Sequence, residues 1–307
     1  MNWEFELIAG PYSGPLDGPV WDGSALLFTQ RVFPGGKEDR NPAENRILRY
    51  DPDSGAVSDF RRWTAHIIGL ALSADGVLYG CQNTARRIVR LNADGSTEVL
   101  VHKLGGLYHN KPEQLVVDSR KRIWFTDPHG DLREVHGQVH DKLDHASILR
   151  MDAPPGSSSL LRRMTFDTDA PSAVALSPNE DVLYVGESPV EPEANRELRA
   201  YPVLKDGTLG PYTVLHTFGA DHRGAHRGIT GMCLDSEGNI VATAGSDRSG
   251  PGPMVYVFSP QGRVLESHPV PAAPPTNCAF GDTDLESLFV TTAGGHLYRV
   301  RGSGRHG

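Results

Sequence analysis

The sequence predicts an all-β protein built as a six-bladed β-propeller with four strands in each blade. A short pattern recurs along the chain: an apolar run, a turn rich in Asp, Ser, Asn, Glu and Gly, and a second strand-like run. Repeats at this spacing are typical of propellers and solenoids. The four clearest copies are residues 69–81, 113–127, 172–186 and 230–244, and the two weaker copies are residues 17–30 and 277–291.

The apolar pattern between these copies indicates strands rather than helices. Apolar residues alternate or run in short blocks, and Gly, Pro, Asn and Asp separate the blocks. Each copy leads into a further strand pair that supplies the outer half of a blade. The first strand of each of these pairs is predicted at residues 46–50, 86–91, 146–151, 197–203 and 254–258.

The spacing of the repeat also predicts how the ring closes. Equivalent positions recur every 45 to 59 residues, which fits blade-forming repeats with insertions. The last unit, residues 277–300, is short of one strand, while residues 5–9 have no nearby partner. Pairing these two segments would cover both open edges. We therefore expect a single propeller domain over residues 1–307, closed by an N-terminal strand.

Composition narrows the classes of partner. The net charge is −8 with both signs interspersed, which argues against a nucleic-acid partner. No apolar run reaches the roughly 18 residues that a membrane span needs, and the N-terminus has no signal-peptide pattern. The cysteines Cys81, Cys233 and Cys278 are widely spaced, as expected for free thiols in a reducing compartment. We expect a cytoplasmic protein that acts on a small molecule.

Three insertions interrupt the repeat at residues 31–45, 128–144 and 188–196. Two interpretations remain open for them. They are solvated loops, or they form a lid over one mouth of the channel, since long loops in compact domains often serve function.

Four segments resemble the SMP-30/gluconolactonase/LRE family of six-bladed propellers. LDGPVWDGSALLFTQ is similar to the family's opening E-G-P-x-W segment, and HNKPEQLVVDSRKRIWFTDPHGD to its N-x-P-N-D and W-F-T-D-P signature. APSAVALSPNEDVLYVGES resembles the segment that starts with P-N-G, and PPTNCAFGDTDLESLFVTTAGG the T-N-x-x-F-G segment of the last blade. Together these segments extend over nearly the whole chain.

The resemblance implies lactone or organophosphate hydrolysis and one divalent metal, often calcium, on the channel axis. The family's ligands are a Glu, two Asn and an Asp, and the matching positions here are Asp17, Glu113, Ser172 and Thr230. None of the four is the family's residue. The position of Thr230 is also that of the family's proposed general base.

Asp17 and Glu113 are the candidate catalytic residues, and their carboxylates support two mechanisms. In the first they bind Ca²⁺, or Zn²⁺, Mg²⁺ or Mn²⁺, which polarises a carbonyl and activates water. In the second no metal takes part. Two converging carboxylates then repel, the pKa of one rises, and the pair acts as general acid and base.

Candidate substrate-binding residues lie at the blade starts and at the ends of the second strands. Arg227 is suited to bind a carboxylate or another anion through its two-pronged guanidinium. For the histidines a role as ordinary loop residues is the open alternative. The full set is His66, Gln82, His109, Asn110, Ser172, Glu187, His226, Arg227, Thr230 and Asn277.

Three functions follow from these observations. The first is a lactonase-like hydrolase that opens a cyclic ester at the channel mouth. The second is a divergent family member that catalyses another acid–base reaction without calcium, since fold alone does not fix function. The third is a non-catalytic propeller that binds a small molecule. A serine nucleophile is not indicated, because the G-x-S-x-G motif is absent from the sequence.

Overall fold

A computed structural model describes residues 3–31, 45–130, 141–152 and 160–307. Within these residues the chain forms strands and turns, and no helix is long and apolar enough to cross a membrane. In chain order the strands are β1 (Phe5–Ala9), β2 (Leu16–Trp21), β3 (Leu26–Gln30), β4 (Arg46–Tyr50), β5 (Val57–Arg61), β6 (Ile67–Leu72), β7 (Leu78–Gln82), β8 (Arg87–Leu91), β9 (Thr97–Val101), β10 (Lys103–Leu104), β11 (Leu107–Tyr108), β12 (Leu115–Val117), β13 (Ile123–Asp127), β14 (Ser147–Met151), β15 (Leu161–Arg163), β16 (Pro171–Leu176), β17 (Val182–Glu187), β18 (Arg196–Pro202), β19 (Thr213–Phe218), β20 (Ala220–Asp221), β21 (Gly224–Ala225), β22 (Ile229–Leu234), β23 (Ile240–Ser246), β24 (Ser249–Phe258), β25 (Val264–Pro269), β26 (Pro275–Gly281), β27 (Ser287–Thr292) and β28 (Leu297–Val300).

The strands form six four-stranded antiparallel sheets, which confirms the six-bladed propeller. Five blades are sequential, with strand orders β2–β5, β6–β9, β12–β15, β16–β19 and β22–β25. The first strand of each blade packs against the first strand of the next, so β2, β6, β12, β16, β22 and β26 surround a central channel. The pairs β10–β11 and β20–β21 are short hairpins ahead of the third and fifth blades.

The sixth blade is closed by the N-terminal strand, as predicted. Its order is β26–β27–β28–β1. In the β1–β28 pair, Phe5 lies opposite Val300 and Leu7 opposite Tyr298. The edge of β28 is therefore paired by the beginning of the chain, and the ring needs no further partner.

Middle strands are buried on both faces because each blade is covered on both sides by its neighbours. Every residue of β13 is buried. Successive side chains of a strand point to opposite faces. Accordingly, Trp124 packs among residues of the third and fourth blades, while Phe125 packs among residues of the second and third. Full burial of such a side chain stabilises the fold by about 1.5–3 kcal/mol.

The channel holds a cavity of about 410 Å³. Gln114 and Asn277 line the end where the first strands begin, and Phe280 and the C-terminal Gly307 line the opposite end. The end at which the first strands begin is called the mouth below.

The insertions predicted from the sequence are described only in part. Residues 188–195 form bends and turns ahead of β18, and Arg196 is the first residue of that strand. Most of the other two insertions, residues 32–44 and 131–140, lies outside the described residues, and the lid hypothesis stays a prediction.

Candidate active site

Three polar side chains from different blades meet at the mouth. The Asp17 carboxylate, 7% exposed, accepts hydrogen bonds at Oδ1 from the Gly18 N–H at 2.7 Å and from Gln114 Nε2 at 3.1 Å. Asn277 Nδ2 donates to Gln114 Oε1 at 2.9 Å and lies 3.5 Å from Asp17 Oδ1. The predicted convergence of blade starts thus joins residues separated by up to 260 positions.

Glycine follows Asp17 because the blades approach closely there. Gly18 has φ +52°, and a Cβ at this residue would lie 2.3 Å from the Ile68 carbonyl oxygen. Such a contact is not tolerated, so the D-G-P segment sets both the turn and the orientation of the carboxylate.

Burial has the largest effect on the pKa of Asp17. It raises the pKa of the carboxyl group, because the ionised form loses water. The nearby Arg31 guanidinium and the hydrogen bonds from Gly18 and Gln114 oppose this rise, and the Glu113 carboxylate adds to it. A carboxylate whose pKa is raised by burial and acted on by nearby charges is a candidate functional residue.

Glu113 and Arg227 lie close to Asp17. Glu113 is partly exposed and forms an ion pair with Lys111, whose Nζ is 3.3 Å from Oε1. Arg227 is exposed at the mouth, yet the protein atoms packed around its guanidinium lower its pKa, while the charges of Asp17 and Glu113 oppose that effect. Within the described residues, the Arg227 side chain forms no hydrogen bond or ion pair.

Ser172 and Thr230 brace neighbouring blades. Ser172 Oγ lies 2.6 Å from the Ile229 carbonyl oxygen of the fifth blade, and Thr230 Oγ1 lies 3.0 Å from the Pro275 carbonyl oxygen of the sixth. Two other hydroxyls make the same kind of contact, Thr29 to Ile68 at 2.9 Å and Thr276 to Leu16 at 2.6 Å.

This donor set does not fit a divalent cation. Both hydroxyls donate to backbone carbonyls, and one oxygen of Asp17 accepts amide hydrogen bonds. Glu113 is paired with a lysine, and the guanidiniums of Arg31 and Arg227 are close by. In the described part of the chain no three His, Cys, Asp or Glu side chains converge as metal ligands would. Calcium prefers six to eight oxygen ligands.

His109 and Asn110 have no exposed surface. Burial lowers the pKa of His109 to about 3, which keeps the ring neutral, and neither ring nitrogen has a hydrogen-bond partner among the described residues. The Asn110 N–H donates to Asp127 Oδ2 at 2.8 Å, and its Nδ2 donates to the His145 carbonyl oxygen at 3.0 Å. The structure therefore places both in the protein interior, and their predicted substrate contacts stay a prediction.

Gln82 and Glu187 bind the segments that lead into their own blades. Gln82 Nε2 donates to the Thr64 carbonyl oxygen at 3.0 Å. Glu187 accepts the N–H groups of Asp169 and Ala170 at 2.8 and 2.9 Å, and burial raises its pKa to about 7. Asp127 binds the Asn110 and Lys111 N–H groups in the same way.

The two remaining histidines lie in loops before blade starts. His66 is half-buried with φ +60°, directly ahead of β6. His226 packs its ring against Gly250, and its Nε2 lies 3.9 Å from Asp221 Oδ2. Neither is brought into hydrogen-bond contact with Asp17 among the described interactions.

Sequence reasoning missed Gln114 and Arg31. Gln114 adjoins Glu113 at a blade start, so its position was available as a signal. Arg31 was assigned to an insertion, although it directly follows β3, whose Gln30 lies opposite Leu16. The Arg31 N–H donates to the Pro15 carbonyl oxygen at 3.0 Å, which fixes it beside the Asp17 segment.

Comparisons with known proteins agree with this architecture. A family model described as the SMP-30/Gluconolactonase/LRE-like region matches residues 17–294. A gluconolactonase of Zymomonas mobilis is 26% identical, with 93% of this chain and 78% of the relative covered. A 6-deoxy-6-sulfogluconolactonase of Pseudomonas putida is 29% identical, with 71% and 79% covered. The solved structure of a gluconolactonase from Xanthomonas campestris has a TM-score of 0.75 at 28% identity, with 97% and 89% covered.

Proposed function

Since the chain belongs to the SMP-30/gluconolactonase/LRE-like family, we propose that it is a lactonase-like hydrolase that opens a sugar-derived cyclic ester by water attack at the channel mouth. One observation carries the proposal. A buried carboxylate with raised basicity, Asp17, is held by amide groups beside a guanidinium, Arg227, that has no partner among the described residues. The names of the relatives support a small lactone as the substrate.

Asp17 is the general base in this proposal. Gly18 and Gln114 fix Oδ1, while Oδ2 accepts no hydrogen bond from a described residue and is free to take a proton from water. Burial increases the proton affinity of the carboxylate, which strengthens it as a base. The water oxygen then attacks the lactone carbonyl carbon.

Arg227 stabilises the negative charge that develops on the carbonyl oxygen. A guanidinium that donates two N–H groups to the developing oxyanion stabilises it more strongly than bulk water does. When the tetrahedral intermediate collapses, the bond from the former carbonyl carbon to the ring oxygen breaks. The proton held by Asp17 passes to the ring oxygen, which leaves as a hydroxyl group, and the product is an open-chain hydroxy acid.

Glu113 acts as a positioning residue. Its charge raises the pKa of Asp17 and attracts Arg227. Lys111 pairs with it at 3.3 Å and keeps the carboxylate at the rim. No step of this mechanism is routed through a metal ion, because the donor set at the mouth does not match one.

The test is lactone hydrolysis by Asp17→Asn, which keeps the shape of the side chain and removes the base. Acid release from glucono-1,5-lactone, followed with a pH indicator after subtraction of spontaneous hydrolysis, is expected to fall by about a hundredfold or more. Asp53→Asn, an exposed substitution in the turn after β4, is the matched control and keeps full activity. Turnover of Asp17→Asn within about threefold of the wild type would place the base elsewhere.

A second candidate function uses the same residues for a different acid–base reaction. It is favoured by the hydrogen bonds of Ser172 and Thr230 to neighbouring blades. These two residues occupy metal-ligand positions of the family, and here their hydroxyls donate to carbonyl oxygens instead. A panel of five- and six-membered sugar lactones separates the two functions. If no lactone in the panel is opened, the lactonase proposal is wrong and the second candidate gains support.

A further inference from the structure

Arg31 is a cation at the mouth that the proposed mechanism does not use. Its backbone is fixed by the hydrogen bond to Pro15, and its side chain is half-buried. The Nε atom is buried and has no hydrogen-bond acceptor, and no ion pair of the side chain occurs within the residues that the structure describes. A buried guanidinium N–H without an acceptor is unfavourable, and an anion that binds there would supply the missing acceptor.

The mouth carries more positive charge than its own carboxylates balance. The charge of Arg31 lowers the pKa of both Asp17 and Arg227, and the charge of Arg248 also lowers the pKa of Arg227. Of the two carboxylates, Glu113 already has Lys111 as its partner. This concentration of cations lies on a chain whose net charge is −8. Such a local field attracts anions to the opening of the channel.

Resting on the proposed lactonase function, we propose that Arg31 is a specificity-determining residue that binds an anionic substituent of the substrate, so that the preferred substrates are lactones carrying a phosphate, sulfonate or second carboxylate group. Arg227 stabilises the charge on the reacting carbonyl oxygen, and Arg31 binds the anionic substituent away from the reacting bond. A planar guanidinium suits all three anions, because it offers two parallel N–H donors to two oxygens.

Arg31 fits this role better than the other cations near the mouth. Arg248 is exposed, so water solvates its charge. Lys111 is neutralised by Glu113. Arg223, in the hairpin before the fifth blade, is paired with Asp221 at 2.7 Å. Arg31 alone among these four combines a buried nitrogen with the lack of a partner among the described residues.

The experiment compares matched neutral and anionic lactones. The substrates are glucono-1,5-lactone, its 6-phosphate, its 6-deoxy-6-sulfo analogue and the lactone of a sugar dicarboxylic acid. For the wild type we expect kcat/KM to be about tenfold or more higher for at least one anionic lactone than for the neutral one. The rank order of the three anionic lactones identifies which anion the site takes.

Variants separate Arg31 from the catalytic groups. Arg31→Gln is expected to lower the anionic-to-neutral ratio of kcat/KM by about tenfold, mainly through KM, and Arg31→Lys to restore part of it. Arg227→Gln is expected to lower kcat for neutral and anionic lactones alike. Arg120→Gln, an exposed substitution in the β12–β13 turn at the opposite face, is the matched control. A ratio that Arg31→Gln leaves unchanged, or a wild type without preference for any anionic lactone, overturns the inference while the lactonase function stands.

Binding provides a readout that does not depend on turnover. Titration calorimetry with gluconate 6-phosphate and with gluconate is expected to give tighter binding of the phosphorylated acid to the wild type. Arg31→Gln weakens that binding about tenfold, and added salt weakens it further by screening. If no lactone is hydrolysed, the proposed function fails, and equal affinity of wild type and Arg31→Gln for the phosphorylated acid rejects the role of Arg31 independently.

Discussion

At the scale of single residues, the environment of Asp17 determines its chemistry. The sequence identified the carboxylate through its place in the repeat, but its hydrogen-bond partners lie 97 and 260 positions away. Partners that distant follow from how neighbouring blades are rotated and how deeply they pack. Local sequence patterns carry no information on those quantities. For this reason Gln114 and Arg31 emerged only from the structure.

Glu113→Gln provides a prediction at this scale. Glu113 raises the pKa of Asp17, so its neutralisation lowers that pKa and moves the acid limb of kcat/KM to lower pH. We expect activity at neutral pH to fall by less than in Asp17→Asn, because the base remains. The pH profile of lactone hydrolysis measures both effects, with the exposed Glu286→Gln as control. An acid limb displaced to higher pH would contradict the positioning role.

A prediction for Arg227 concerns the reacting carbonyl. Arg227→Lys keeps the charge but loses the two-pronged geometry, and Arg227→Gln loses both. We expect kcat to fall in the order wild type, Lys variant, Gln variant, with a loss of about a hundredfold for Gln. Steady-state kinetics on the neutral lactone measures this order. A loss confined to KM in both variants would assign Arg227 to uniform binding.

At the scale of strands, recurring hydrogen bonds from hydroxyl groups to backbone carbonyls connect neighbouring blades. Ser172, Thr230, Thr29 and Thr276 each place a hydroxyl on a carbonyl oxygen of the next blade. The family resemblance placed Ser172 and Thr230 at metal-ligand positions, and the structure places them as braces. The strands themselves were predictable, because burial on both faces gives the middle strands short apolar runs such as Ile123–Phe125 of β13. The direction of one hydroxyl depends on packing distances and was not predictable.

Removing a brace is expected to weaken the fold. Thr230→Val keeps the volume and leaves the Pro275 carbonyl without its donor, which lowers the free energy of unfolding by about 1 kcal/mol. Ser172→Ala is expected to have a smaller effect, because the Ile229 carbonyl oxygen keeps Ser188 Oγ as a donor at 2.8 Å. Chemical denaturation measures the loss, and Thr283→Val in the exposed β26–β27 turn is the control.

The same variants test the metal assignment. Calcium is expected to leave the melting temperature of the wild type unchanged, because the hydroxyls donate to carbonyls. A calcium-induced rise in the wild type that disappears in Ser172→Ala and Thr230→Val would show that these residues are ligands after all.

At the scale of the whole molecule, closure by β1 makes the ring continuous. The repeat count predicted this pairing, since the last unit was one strand short and the first segment had no partner. What the repeat could not predict is the charge balance of the mouth, because the side chains involved come from the first, third and fifth blades. Only the closed ring brings Arg31, Glu113 and Arg227 around Asp17.

Deletion of β1 tests the importance of closure. Removal of residues 1–10 exposes the edge of β28, and an unpaired edge strand promotes association with other chains. We expect a lower melting temperature and concentration-dependent aggregation, measured by differential scanning fluorimetry and light scattering. A truncation that begins at Trp3 retains β1 and is the control. A monomeric ten-residue deletion variant with wild-type stability would show that the sixth blade is complete without β1.

The role of Asp17 as the general base is tested most directly by the pH dependence of kcat/KM for the wild type and Asp17→Asn on the preferred lactone. Burial raises the pKa of Asp17, and the base must be ionised to act, so activity is lost as pH falls through that raised pKa. We predict an acid limb centred above about 4, the ordinary pKa of aspartate, and no such limb in the residual rate of Asp17→Asn. A wild-type rate that stays level below this pH, or an identical limb in the variant, would contradict it.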